Sequence, residues 1–326
     1  MEHEFDSIGR LVDEALAKAR AFEYRTFSVS TRIGDNVLAE YENHIKSRGL
    51  GAIAPKNRIN RLAGEMIRDK TGKQWSREAD LVFVLDFAGD KAEARPSPIF
   101  ILGKYIKDSR ELYQTRWEKF ESVEGFIVSA AQGVFGCRNA FLHGAGREDL
   151  DARMLGEGRL CIIEIEAPVK RPSDFSALRE SVKSLSDRRV DFIPIRKVGR
   201  ELVWIVKEAK FDKVYRATVE LDCEAEEEKI RKICGIREIR QRTPQRVLHR
   251  RADLSRERKI HGIECEHSGG KTAVFKITTE AGAYIKELVG GDGGRTVPSF
   301  SQAADCCARC IGLDVLEVKE YISDWY

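Results

Sequence analysis

Two glycines, Gly144 and Gly146, precede a dense alternation of charge: Arg147, Glu148, Asp149, Asp151 and Arg153. An apolar run, Leu160 to Glu166, follows directly. Glycine releases the backbone into a tight loop, and a charged loop ahead of a rigid strand is a common way for a sheet to present a reactive group. A carboxylate placed there can act as a nucleophile, because it can both form a covalent bond and leave again. The plainer reading is a surface turn whose acids and arginines pair with each other. Phosphate-cradling alternatives fail on spacing. A dinucleotide fingerprint needs GxGxxG, and Gly144-Ala-Gly146-Arg-Glu-Asp149 has aspartate in place of the third glycine. No GxxxxGK[ST] occurs, so no nucleotide cofactor is expected. Cys307 and Cys310 form one CxxC, with no second pair and no following HxxxH. A zinc site takes about four ligands, so no metal is expected.

A second feature is a basic stretch. Between Arg237 and Lys259 stand nine basic residues against three acidic ones, densest at Arg246-Val-Leu-His249-Arg250-Arg251. Such a run is either a solvated strand pair or a ridge that contacts phosphates. With a formal net charge of only +3 over 326 residues, a nucleic-acid surface has to come from local charge segregation of this kind.

These residues need elements to position them. Apolar residues at helical spacing predict helices over 5–22, 35–47, 58–70 and 122–135. Further helices are expected at 174–186 and 224–234. Strands are expected at Phe27–Thr31 and Asp80–Phe87, with a hairpin through 88–91 to Lys91–Arg95. From Leu160 on, strands dominate: Leu160–Glu166, Val190–Pro194, Glu201–Val206, Lys213–Glu220 and Lys271–Thr279. Eight cysteines, mostly scattered singly, read as reduced, small apolar residues. Met1 to Arg10 is acidic and has no signal-peptide core, and no apolar run nears the roughly 18 residues of a membrane span. A soluble, cytoplasmic protein is expected.

Several of these stretches together carry a resemblance. Gly146-Arg-Glu-Asp-Leu-Asp-Ala-Arg-Met-Leu155 is similar to the loop of the archaeal and eukaryotic tRNA pseudouridine synthases that act on uridines 54 and 55. Lys213-Val-Tyr215-Arg-Ala217, Thr243-Pro-Gln-Arg-Val-Leu-His-Arg-Arg251, Ala281-Gly-Ala-Tyr284-Ile-Lys286-Glu-Leu-Val and Gly291-Asp-Gly-Gly-Arg-Thr-Val-Pro298 resemble further blocks of that family, in the same order. Pro98 to Tyr105 and Gln114-Thr-Arg-Trp117 look like its accessory region. One departure is clear: the family's cysteine-rich zinc knuckle around Gln114–Trp117 has no counterpart here.

The resemblance implies an α+β fold, with a THUMP-like accessory RNA-binding domain over 1–117. A catalytic domain with a mostly antiparallel, bifurcated sheet would occupy 118–326. It implies isomerisation of uridine to pseudouridine in the TΨC arm of tRNA, with Asp149 as nucleophile; Asp151 is its near rival. Lys286 would be the basic partner of Asp149. Tyr215 and Tyr284 would contact the target base, which has to leave its stack to reach a pocket. Arg147, Arg153, Arg246, Arg250, Arg251 and Arg295 are candidates for RNA contacts. No cofactor is implied, because the isomerisation is redox-neutral, and a monomer is expected. On pattern alone Tyr215 also reads as strand core and Lys286 as surface charge. Two rival classes remain. One is a non-catalytic tRNA-binding protein or folding chaperone, which would not need Asp149, Lys286 and Tyr215 together. The other is a methyltransferase or thiolation enzyme, which would need a glycine-rich cofactor motif.

Overall fold

The computed structural model describes residues 2–34 and 55–320, so the helix expected at 35–47 lies outside the described residues. Two compact units are present. The first holds the described residues up to Ile99 together with Ala131–Ala140 and Glu164–Asp174; the second holds Phe100–Ala130, Phe141–Ile163 and the chain from Phe175 on.

In the first unit, helices α1 (Glu2–Ala19) and α2 (Pro55–Thr71) accompany a four-stranded sheet of β1 (Thr26–Arg32), β2 (Gln74–Trp75), β3 (Leu81–Asp86) and β4 (Lys91–Pro96). Strand order is β2-β1-β3-β4. β1 pairs parallel with β2 and β3, and β3 antiparallel with β4. The helical spacing of Ile8, Leu11, Val12 and Ala15 puts them on one stripe. They pack with Ile59, Ala63 and Ile67 of α2 onto Phe27, Leu81, Phe83 and Leu85 of the sheet. Arg171 ties this unit together, pairing with Asp80 at 3.3 Å and donating to the carbonyls of Asp80 and Ser97.

The second unit is built on a ten-stranded sheet. Its strands are β5 (Ile99–Lys107), β6 (Asn139–Gly144), β7 (Ala152–Glu166), β8 (Val190–Val198), β9 (Asp212–Leu221), β10 (Glu238–Arg242), β11 (Ser255–Gly269), β12 (Thr272–Thr279), β13 (Thr296–Val297) and β14 (Ala308–Lys319). The order is β13-β10-β11-β12-β9-β14-β7-β5-β8, with β6 beside β7. β7 and β14 run parallel, flanked by antiparallel pairs such as β14–β9 and β5–β8. Both sheets are therefore mixed, and the mostly antiparallel arrangement implied by the resemblance is corrected accordingly. The six helices of this part are α3 (Val123–Phe135), α4 (Ser176–Leu185), α5 (Glu201–Glu208), α6 (Glu227–Cys234), α7 (Ile285–Gly290) and α8 (Phe300–Ala304). Ile230 and Ile233 of α6, Leu288 and Val289 of α7 and Phe300 of α8 close over Ala217, Val219, Phe275 and Ile277 of the sheet. The strict alternation of burial along β12 puts Ala273, Phe275 and Ile277 on that inner face.

Three expectations change. Glu201–Val206 is the helix α5 rather than a strand; a short apolar run does not distinguish the two by period, and here only Val206 is buried. Cys223 and Cys306 form a disulfide across a sequence separation of 83. The reading of all eight cysteines as reduced thus fails for this pair, whose closeness is purely tertiary. Trp117, the expected boundary, lies inside the second unit, because β5 already belongs to the large sheet beside β8. Among the described residues no helix is long and apolar enough to cross a membrane.

β7 changes course at Gly156 and Gly158, both at positive φ (+62° and +87°). Ala152–Met154 pair with β14 before the bend, and the rest of the strand continues into the sheet after it. A Cβ at Gly156 would overlap the carbonyl oxygen of Leu316. Gly156→Ala is therefore expected to destabilise the protein by at least about 2 kcal/mol, combining the left-handed backbone cost with that overlap. Chemical denaturation reads this directly, and an unchanged midpoint would show that the bend is not constrained.

Candidate active site

β9 has one face that changes use along its length. Ala217, Val219 and Leu221 point into the core. Tyr215 and Lys213, two and four residues before Ala217 on the same face, floor an open cleft of about 250 Å³. Leu313 and Val315 of β14 sit beside them, in register with Ala217 and Tyr215. The cleft wall is made by the loop from Gly146 to Ala152, by Arg246, Arg250 and Arg251, and by Gly282 to Lys286.

Asp149 projects from the loop into this cleft, with its side chain 31% exposed. Glu148, the residue before it, turns inward and is buried, while Arg147 is exposed. Glu148 accepts from Arg159 Nε at 3.0 Å and from the Tyr105 hydroxyl at 2.8 Å. Both side chains of the Arg159–Glu148 pair are 1% exposed. Burial and the neighbouring carboxylate raise the Tyr105 phenol well above its ordinary value. Gln114 completes the cluster by donating to the Tyr105 hydroxyl and to the Gly146 carbonyl.

Two cations face Asp149. Arg246 Nη1 donates to Oδ1 at 3.0 Å, and Lys286 Nζ stands 3.6 Å from Oδ2. Arg246 also binds Glu287 at 2.6 Å, and Lys286 binds both oxygens of Asp151 at 2.6 and 2.7 Å. The cations are thus shared between two pairs of acids. Burial is the largest single influence on the Asp151 carboxyl and raises it, but the hydrogen bond and charge of Lys286, a backbone hydrogen bond and the Arg246 charge together hold the group below its ordinary range. Arg246 is balanced in the same way: burial is the largest influence and disfavours its charge, and the hydrogen bonds and charges of Glu287 and Asp149 together more than restore it. Lys286 thus stands beside both Asp149 and Asp151. Arg246 was read only as an RNA contact and is the nearer partner of Asp149.

The tyrosines flank the same cleft. Burial pushes the Tyr215 phenol up to about 12. Tyr284 caps α7, and Gln241 clasps its backbone, accepting from Tyr284 N at 2.8 Å and donating to Tyr284 O at 2.9 Å. Arg251 donates to the Tyr284 hydroxyl at 3.1 Å. The remaining arginines divide in two. Arg153 binds Asp314 and Asp108, and Arg295 binds Asp253 and the Thr243 carbonyl. Among the described residues Arg147, Arg250 and Arg251 have no carboxylate partner. The one group able to hold a metal among those residues is Asp222, Cys223 and Cys306, and its two sulfurs are joined to each other.

A partly exposed carboxylate between two cations, above an aromatic floor, suits covalent attack on a planar, polar substrate. Comparison with known proteins places the chain in a family. A protein of Archaeoglobus fulgidus named tRNA pseudouridine synthase Pus10 is 36% identical, over 97% of this chain and 93% of its own. A protein of the same name from Picrophilus torridus is also 36% identical, over 93% of this chain and 80% of its own. A solved structure, that of the archaeal box H/ACA sRNP Nop10-Cbf5 complex, is similar at a TM-score of 0.35 and 17% identity, covering 68% of this chain and 49% of that one. The curated relatives define an isomerase of the pseudouridine synthase class. Residues 100–319 match the family model described as Pus10, C-terminal, which begins where the second compact unit begins. The chain belongs to the Pus10 family.

Lys213 was not singled out in the sequence. Its burial, with the Arg159 charge nearby, depresses the amine to about 8 from 10.5, and its hydrogen bond goes to the Phe211 carbonyl. A depressed folded pKa means that the unfolded chain holds the proton between about pH 8 and 10.5, so stability contributed by this residue rises across that window and is lost as pH falls through 8. Lys213→Met is expected to raise the melting temperature at pH 7 and to flatten the rise between pH 8 and 10. Parallel melting curves for the two proteins over that range would contradict this assignment.

Proposed function

We propose that the enzyme converts uridine to pseudouridine at position 54, position 55 or both in the TΨC arm of tRNA, with Asp149 as the nucleophile. In the net reaction the bond between C1′ and N1 of the base is replaced by one between C1′ and C5. The C5 proton leaves, N1 gains one, and no electrons are transferred, so no cofactor is needed. The observation that carries this reading is the carboxylate of Asp149 in the cleft, held at 3.0 Å by Arg246 and 3.6 Å by Lys286, with Tyr215 on the floor. The cations aim the carboxylate. Tyr215 and Tyr284 receive a base that has left its stack.

Phosphate contacts fall first to Arg147, Arg250 and Arg251, whose charge is not spent on carboxylates. Arg153, Arg246 and Arg295 would reach RNA only alongside an existing ion pair. The first unit, with two helices and a four-stranded sheet, is read as a THUMP-like accessory RNA-binding domain, and the enzyme as a cytoplasmic monomer.

Pseudouridine mapping on unmodified tRNA transcript tests the reaction. The wild type should yield product at 54 or 55, and Asp149→Asn should yield none while still binding. Tight binding without product in the wild type would point to a non-catalytic tRNA-binding protein. Binding should also weaken steeply with salt, because phosphate contacts release counterions. Arg250→Ala and Arg251→Ala should each lower the slope of log K against log salt by about one unit; slopes equal to wild type would remove these residues from the RNA interface.

A further inference from the structure

Lys107 ends β5 and is fully buried. Its ammonium donates to three backbone carbonyls: Leu112 at 2.9 Å, Asp149 at 3.1 Å and Leu150 at 3.0 Å. An ammonium has three donors, so each is used. Among the described residues no carboxylate lies within ion-pair distance of it. Burying a charge without a direct counter-ion costs several kcal/mol. A methionine would fill the same space without that cost.

What the charge does is visible in its surroundings. Two of its three acceptors belong to Asp149 and Leu150. The acids that favour its charged form include Glu148, Asp151 and Asp149, against the burial that disfavours it. The loop is held at its other carbonyls too. Ala145 accepts from Arg159, Gly146 from Gln114, and Asp151 from Arg110. The carbonyl of Asp149 takes the Ala152 amide at 3.2 Å as well as the Lys107 ammonium, and among the described residues Lys107 is the one side chain that grips it.

We infer that Lys107 is a positioning residue for the isomerisation, holding the backbone of Asp149 so that its carboxylate meets the target nucleotide at the attacking distance and angle. The inference rests on the reading of Asp149 as nucleophile. Lys107 touches no substrate; it acts through the loop. Displacing a nucleophile by about 1 Å can cost on the order of 100-fold in rate, so the effect belongs in the chemical step; of the arginines proposed to meet phosphate first, only Arg147 lies on the loop that Lys107 holds, and RNA binding rests mainly on the others.

The test is single-turnover pseudouridine formation at saturating unmodified tRNA transcript, with the RNA dissociation constant and melting temperature measured on the same preparations. Wild type, Lys107→Met and Asp149→Asn are compared. Lys107→Met should lose about 100-fold in rate with its dissociation constant within about twofold of wild type. A Lys107→Met rate close to wild type would overturn the inference. So would parallel losses of rate, binding and melting temperature, which describe a merely structural residue. If Lys107→Met does not fold, Lys107→Gln, which keeps two donors without the charge, replaces it under the same two criteria. Asp149→Asn separates the premises. Activity in that variant would sink the nucleophile reading, whereas its inactivity beside an active Lys107→Met would sink only the role of Lys107.

Discussion

The burial of Glu148 between Arg159 and Tyr105 sets the direction of the whole site. An ion pair with both side chains 1% exposed is expensive to desolvate and strongly destabilising to break. It therefore pins the loop in one arrangement, as long as every partner is in place. With Glu148 turned inward, Arg147 and Asp149 on either side of it are turned out. Arg159 belongs to β7, and its other donor takes the Ala145 carbonyl. The strand that follows the loop thus reaches back under it and fixes where it begins.

Charge in this cleft is organised by sharing. Asp149 and Glu287 share Arg246, and Asp149 and Asp151 share Lys286. Neither cation is free to swing away from Asp149 without abandoning a second acid. The carboxylate itself, with the longer of its two ion pairs at 3.6 Å, is the member held least tightly. This division leaves Asp149 the most movable carboxylate of the cleft while the groups around it stay paired.

Much of this was legible in the chain. Asp149, Lys286, Tyr215 and Tyr284 line one cleft; the charged glycine loop around Asp149 stands out by itself, whereas Lys286, Tyr215 and Tyr284 were marked only by the ordered blocks that resemble a family. The helices with clear stripes, α1 and α3, were equally readable from Ile8, Leu11 and Val12 and from Ile127, Ala130 and Ala131. What stayed hidden depends on tertiary placement. Lys107 and Arg159 sit among apolar neighbours and give no hint that they are buried cations. Arg246 lies in a basic run, where charge density suggests phosphate and masks an ion pair to an acid 97 residues away. The apolar stretch of α5 fits two periods at that length, and the Cys223–Cys306 contact has no local signature at all.

The distance along the chain between Asp149 and its cations has an effect on how the enzyme comes into being. Arg246 and Lys286 are made long after the loop they serve, the second of them 135 residues beyond Asp151. A growing polypeptide that has emerged only through β9 carries the aspartate and the aromatic floor but neither cation. The partners of Asp149 arrive in two steps, Arg246 just after β10 and Lys286 only with α7. A fragment that ends before that helix keeps the Arg246 contact to Asp149 but leaves Asp151 without its lysine, so the charge of the loop is balanced only after α7 has been made.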